Sequence, residues 1–172
     1  MWPLRPPTWV KRGVEAELYF WARNTEKGNG MMDTEHFSIE ADPTFEDVRF
    51  LEDRLYEYNV EKTGADDGQW LAIFLRDAQQ SIYAGLEGWT WCGSCYIRTV
   101  WVHQNLRGQG IGTKLLQAAE QEARRRGCQQ MTLSSFSFQA PGFYQKLGYA
   151  VFAVLDEHPR SHQHYYLCKW LR

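Results

Sequence analysis

Six consecutive residues, Arg107-Gly108-Gln109-Gly110-Ile111-Gly112, stand between a stretch that reads as strand and one that reads as helix. Glycine lets a backbone bend tightly and come close to a ligand. The helix after the loop offers unbonded N–H groups and the positive end of its dipole. Together these features make an anion site of the pyrophosphate kind. Two well-known versions fail on spacing. A dinucleotide fingerprint, G-x-G-x-x-G, needs glycine at position 113, which is Thr113. A P-loop needs Gly-Lys in direct succession, and here Gly112 is followed by Thr113 and then Lys114. What remains is R-x-x-G-x-G, with an arginine added to the loop.

Two other groups of residues invite chemistry and fail on context. Trp91-Cys92-Gly93-Ser94-Cys95 has the W-C-G-x-C form of a redox thiol pair, and Cys92 to Tyr96 fits a thiol-protease string. Both need a helix starting at the motif to lower a thiol pKa. The next residues, Tyr96-Ile97-Arg98-Thr99-Val100, are strand material, so Gly93-Ser94 reads as a hairpin turn. Cys128 and Cys168 read as buried thiols. His158, His162 and His164 cluster near the end of the chain, but no neighbouring carboxylate or cysteine completes a tetrahedral set, and no metal is expected.

The elements that must position the loop emerge from periodicity. Residues 36–40 alternate as a strand. Asp42-Pro43-Thr44 opens a helix, with Asp42 or Thr44 as cap, and Val48, Leu51, Leu55 and Tyr58 carry it to about 62. Residues 70–76, 81–91 and 95–103 read as three strands of an antiparallel meander, with turns at 77–79 and at Gly93-Ser94. A helix over 108–126 ends on three arginines and Gly127. Then come a strand at 131–136, a short helix at 140–147 closed by Gly148, and strands at 149–155 and 164–171. The order is β-α-β-β-β-α-β-α-β-β, an α/β chain.

Composition bounds the rest. The 172 residues are 44% hydrophobic and include 8 Trp, 9 Tyr and 9 Phe. That load excludes a solvated disordered chain and suits one domain with a real core. Trp70, Trp101 and Trp170 are expected to pack the sheet. No apolar run approaches the ~20 residues of a membrane span, and no secretory signal pattern opens the chain. A cytoplasmic protein is the expectation. The net charge of −2 makes no general case for nucleic acid. Charge is uneven, however: residues 31–67 carry a net −9 and residues 68–172 a net +5. Residues 1–30 read as an N-terminal extension, either an upstream start or a loosely docked arm, and 31–172 as the domain.

The loop after Thr99-Val100-Trp101-Val102, the segment Phe143-Tyr144-Gln145-Lys146-Leu147-Gly148-Tyr149 and the element order together resemble the GNAT family of N-acetyltransferases over about 34–171. The resemblance implies a central mixed, mostly antiparallel twisted sheet of about six to seven strands flanked by about three to four helices. It implies acetyl-CoA as cofactor. Val100, Trp101 and Val102 would hold the pantetheine arm through their backbone. Arg107, Gly108, Gln109, Gly110, Ile111, Gly112 and Thr113 would hold the pyrophosphate, with Lys146 nearby. Tyr144 would protonate the leaving thiolate as general acid, and the Val102 N–H would meet the oxyanion.

The resemblance leaves the general base open. Family members often carry a carboxylate where this chain has Tyr96-Ile97-Arg98-Thr99. Glu87, Glu57, His103 or a water chain could serve, with Glu87 taken as the base. Ser137 replaces an asparagine the family often has. Acceptor-side candidates are Glu57, Tyr58, Trp89, Trp91, Phe136 and His162, beside the acidic residues Glu52, Asp53 and Glu61 and the aromatic Tyr56. The −9 segment points to a cationic amine acceptor, a small molecule or peptide; a homodimer is compatible with this. The alternatives are a non-catalytic acyl-CoA-binding sensor and, third, a redox protein.

Overall fold

The computed structural model describes residues 38–42 and 44–172, so the extension at 1–30 lies outside the described residues. Residues 38–40, expected as the end of a first strand, lie outside any strand and are exposed; 36 and 37 are not described. The described order therefore starts with a helix, α1 (Phe45–Thr63). Its cap is Thr44, in a reciprocal box: Thr44 Oγ1 accepts from the Asp47 N–H, and the Asp47 carboxylate accepts from the Thr44 N–H. The apolar spacing misidentified the helix's inner face. Leu51, Leu55 and Tyr58 are exposed, and Tyr56 is the buried residue. One tyrosine docks the helix: its hydroxyl donates to Asp66 and accepts from the Gly68 N–H, and its ring meets Trp91 edge-on.

The meander comes next as β1 (Gln69–Arg76), β2 (Ile82–Trp91) and β3 (Ser94–Val102). Its second turn is centred one residue earlier than expected, on Cys92 (φ 48°) and Gly93 (φ 74°), because Trp91 pairs with Ser94. Two left-handed residues in succession make the type I′ hairpin that matches strand twist. No helix starts at Cys92. Cys95 points into the core, where burial pushes its thiol up to about 12, so it holds its proton and is no redox nucleophile.

Helix α2 (Ile111–Arg125) starts three residues later than predicted, since Gly108 and Gly110 sit at φ 73° and 77°. Then come β4 (Gln130–Phe136), α3 (Pro141–Lys146), β5 (Ala150–Leu155) and β6 (His164–Trp170). The six strands lie in the order β1-β2-β3-β4-β6-β5, all antiparallel except β3–β4, which α2 connects. Leu115, Leu116, Ala119 and Ala123 of α2 bury against Leu71, Leu86, Ile97, Met131 and Leu167 of the sheet. Inside this core Glu120 takes both of its oxygens to Lys169 at 2.8 Å and accepts from Tyr149. The sheet's other face is more open, and Trp101 and Trp170 are exposed there rather than packed; Trp70 lies under the Arg98 guanidinium.

The sheet holds one break that matters. Glu87 pairs with Thr99, but the next residue, Gly88, pairs with Ile97, so Arg98 is an extra residue in β3. Such a bulge bends its strand. β3 and β4 pair only from Ser94–Gln130 to Ile97–Leu133. Past the bulge, β3 stays with β2 to Val102 and β4 stays with β6 to Phe136, with no pairing between them. Gly88 makes the bend possible: a Cβ there would collide with the Tyr96 carbonyl oxygen and sit 2.9 Å from Ile97 Cα. Gly88→Ala is expected to cost about 3 kcal/mol or more, because backbone must move; urea denaturation midpoints measure it.

Candidate functional site

The parting of β3 and β4 opens a cleft of about 680 Å³. One wall is Arg98, Thr99, Val100, Trp101, Val102 and Arg107; the other is Ser134, Phe138, Gln139, Ala140 and Tyr144. It lies at the carboxyl ends of two parallel strands, where α/β sheets bind ligands. The backbone of β3 is part of the wall. The His103 N–H bonds to Tyr83, on the β2 side. Alternation along an antiparallel pair then turns the N–H and C=O of Val102 and Val100 toward the gap. The Val102 carbonyl accepts from Arg107 Nε at 3.1 Å, which anchors the loop arginine at the cleft's edge.

Directly after Arg107 the chain turns through Gly108 and Gly110 into α2. Gly110 is the cap and has no side chain to offer, and its carbonyl accepts the first turn's bond from the Lys114 N–H. The amides of Ile111, Gly112 and Thr113 therefore precede the helix's own bonding. A Cβ on Gly108 or Gly110 would meet nothing within 4 Å, so the glycines serve their positive φ and leave the surface open. Gly112 differs. A Cβ there would lie 3.1 Å from the Phe143 ring, so the helix start presses on α3, the element that carries Tyr144.

Tyr144 is buried, its ring edge-on to Phe143 and Tyr149. Burial pushes its phenol above the ordinary value of 10, so it keeps its proton through neutral pH. Tyr149 is pushed the same way by burial and by the Glu120 charge. Glu87 lies beside the cleft's Arg98, 2.8 Å from its Nε, while Oε2 is buried without a partner.

Among the predicted residues, the structure brings Val100, Trp101, Val102, Arg107 and Tyr144 into one cleft and sets the glycines at its end. Phe136 and His162 adjoin it through Phe138, at centroid distances of 5.3 and 4.9 Å. Others lie elsewhere. Lys146 is exposed at the end of α3. Glu57 pairs with Arg54, and Tyr58 lies under Lys62, both on the exposed side of α1. Trp91 Nε1 donates to the Ala65 carbonyl and anchors the segment after α1; Trp89 packs on Tyr96 at 4.7 Å. Sequence reasoning missed Arg98, Thr99, Ser134, Phe138, Gln139 and Ala140 as cleft residues. The alternation that put Phe136 on one face of its strand could have found Ser134; no local signal marks Phe138.

The raised phenols set an alkaline limit. Their pKa is higher folded than unfolded, so their contribution is whole below pH 10 and is lost as pH rises beyond it. The urea midpoint should fall more steeply between about pH 9 and about pH 11 in the parent than in Tyr149→Phe.

The chain is similar to known proteins in sequence and in fold. The sequence model of the "Acetyltransferase (GNAT) family" matches residues 35–149. The chain is 36% identical over 99 residues to "Acetyltransferase Atu2258" of Agrobacterium fabrum, covering 58% of this chain and 72% of that protein. It is 38% identical over 72 residues to the blasticidin-S acetyltransferase of Streptomyces morookaense, covering 41% of this chain and 51% of that one, about half its length. A crystal structure of an acetyltransferase from Bacillus cereus superposes at TM-score 0.67 with 26% identity, covering 77% of this chain and 97% of that one.

Proposed function

The chain belongs to the GNAT family of acetyltransferases, and on that premise we propose that it acetylates the primary amine of a small, cationic molecule or peptide by direct attack in a ternary complex. Acetyl-CoA-dependent N-acetyltransfer comes with the family and the relatives; the acceptor and the residue roles are our reading. The observation that carries it is the convergence of three features on one cleft: gap-facing backbone on β3, the R-x-x-G-x-G helix start and the buried phenol of Tyr144.

The residues fit the donor's parts. Val100 and Val102 offer strand-like hydrogen bonds to the amide-bearing pantetheine arm, with Trp101 between them. Arg107 and the amides from Gly108 through Gln109, Gly110, Ile111 and Gly112 to Thr113 suit a pyrophosphate. Holding both reactants in one cleft supplies much of the rate. As the amine nitrogen bonds to the thioester carbonyl, the Val102 N–H faces the developing oxyanion. Glu87, held by Arg98 beside the cleft, takes the amine proton through an intervening water, since its Oε2 has no exposed surface of its own. The C–S bond then breaks, and Tyr144 gives its proton to the thiolate.

The acceptor enters between the Glu87–Arg98 pair and the Phe136 and His162 side. The net −9 of residues 31–67 favours a positively charged one. The same reading takes 31–172 as the catalytic domain and places it in the cytoplasm, where the four free cysteines suit a reducing compartment. Among the described residues, no helix is long and apolar enough to cross a membrane. Among the described residues the outer edge of β5 has no strand beside it, and with Phe152, Val154 and Leu155 exposed it favours a second copy as partner.

Thiol release from acetyl-CoA across a panel of amines tests the reading. Turnover of cationic amines is expected; turnover of only neutral or anionic ones overturns the acceptor class. Tyr144→Phe should lower kcat by about 10²-fold, the scale of one general acid. Gly110→Asp, which sets a carboxylate and a Cβ at φ 77°, should weaken acetyl-CoA binding at least about tenfold by calorimetry. Unchanged binding would show the pyrophosphate to lie elsewhere.

A further inference from the structure

Phe138 lines the cleft and yet is 57% exposed. It is the inner end of a run of flat rings that continues out of the cleft. Phe138 stacks on Phe136 at 5.3 Å and 9° between planes. Phe136 lies 4.2 Å from His164, its partner across β4 and β6. His164 in turn meets Tyr166 at 4.5 Å and stacks on His158 at 5.6 Å and 18°. His162 closes the near side, its ring 4.9 Å from Phe138 and its Nδ1 3.3 Å from Ser137 Oγ.

The physical character of this surface is narrow. Its rings come from β4, β6, the segment after β4 and the loop between β5 and β6, so it is built by four pieces of chain rather than by one flexible tip. Hydrogen bonds tie its segments together through Ser137, His162 and Gln163, while His164 Nδ1 inside it is buried with no partner. Burial and the neighbouring His158 hold the His164 imidazole below 6.5, so that ring is uncharged at neutral pH. The acids of the loop are occupied, Asp156 by Gln163 and Glu157 by the Ser161 N–H. The half-exposed Phe138, at the cleft end of the stack, offers a ligand ring its outer face and, through the same π-systems, a favourable seat for positive charge nearby.

We propose that this stack is the acceptor's specificity subsite and that it selects amines carrying a flat π-system over amines of equal charge and size that are saturated. The inference rests on the acetyltransferase reading above and adds to it the shape of the acceptor. A saturated ring meets Phe138 with C–H bonds in place of a π-face, and a polyamine has no ring to stack.

The test compares 2-phenylethylamine with 2-cyclohexylethylamine as acceptors for acetyl-CoA. The two share chain length, charge and carbon count and differ in planarity and π-electrons. The expected result is a kcat/KM at least about tenfold higher for the phenyl amine, and a ratio that falls toward one in Phe138→Leu. Because the ratio is read within one protein sample, reduced folding or weaker donor binding leaves it unmoved. Phe136→Leu, deeper in the stack, should lower the same ratio. Equal kcat/KM for the two amines, or a ratio unaltered in both variants, overturns the subsite while acetyltransfer stands. No thiol release with any amine of the panel overturns the acetyltransferase reading and the subsite with it.

Discussion

Four residue pairs, Ser94–Gln130 to Ile97–Leu133, hold β3 and β4 together, and beyond them the two strands part. Every functional group described depends on that limit. A parallel pair that zipped to its end would use the backbone of Val100 and Val102 within the sheet and leave no room beside Tyr144. Each strand instead stays bonded on its outer side, β3 to β2 and β4 to β6, so the gap costs no order. The cleft is therefore already open in the structure, with backbone groups aimed across it.

One residue inserted into β3 sets the limit. Arg98 is the bulge, and its side chain is not idle: Nε reaches Glu87 at 2.8 Å and the guanidinium lies over Trp70. The same insertion thus bends the strand and places an arginine–carboxylate pair at the cleft. Gly88 opposite accommodates the bend. The cleft's end lies close to its far wall: a Cβ on Gly112, at the start of α2, would come within 3.1 Å of the Phe143 ring, which is edge-on to Tyr144.

The acidic segment is less available to a ligand than its net charge implies. Asp47 caps α1, Glu57 pairs with Arg54 and Glu61 with Lys62, Asp66 accepts from Tyr56, and Asp67 accepts from the Cys92 N–H in the hairpin. These carboxylates serve the helix and its docking. Their long-range field still favours a cation, but none of them lines the cleft. On the proposed reading, recognition of a cation at contact distance falls to Glu87, beside Arg98, and to the aromatic rings.

Much was legible in the residues alone. The glycine loop, the helix behind it, the meander and the three later strands obey local rules: positive φ for glycine, apolar periodicity and turn chemistry. Those rules act over a few residues, so a single sequence carries them. The same locality explains the failures. Leu51, Leu55 and Tyr58 had the right spacing for a buried face, yet docking goes through Tyr56, because Asp66 and Gly68 happen to lie where its hydroxyl arrives. Trp91 looked like an acceptor contact and is an anchor for Ala65. A bulge has no sequence period, so Arg98 read as one more strand residue. Sequence by itself determined which loop can hold an anion and in what order strands and helices occur. Tertiary structure alone decided that β3 and β4 part, which backbone faces the gap and that Phe136, Phe138 and His164 meet, because these depend on register between segments far apart in the chain.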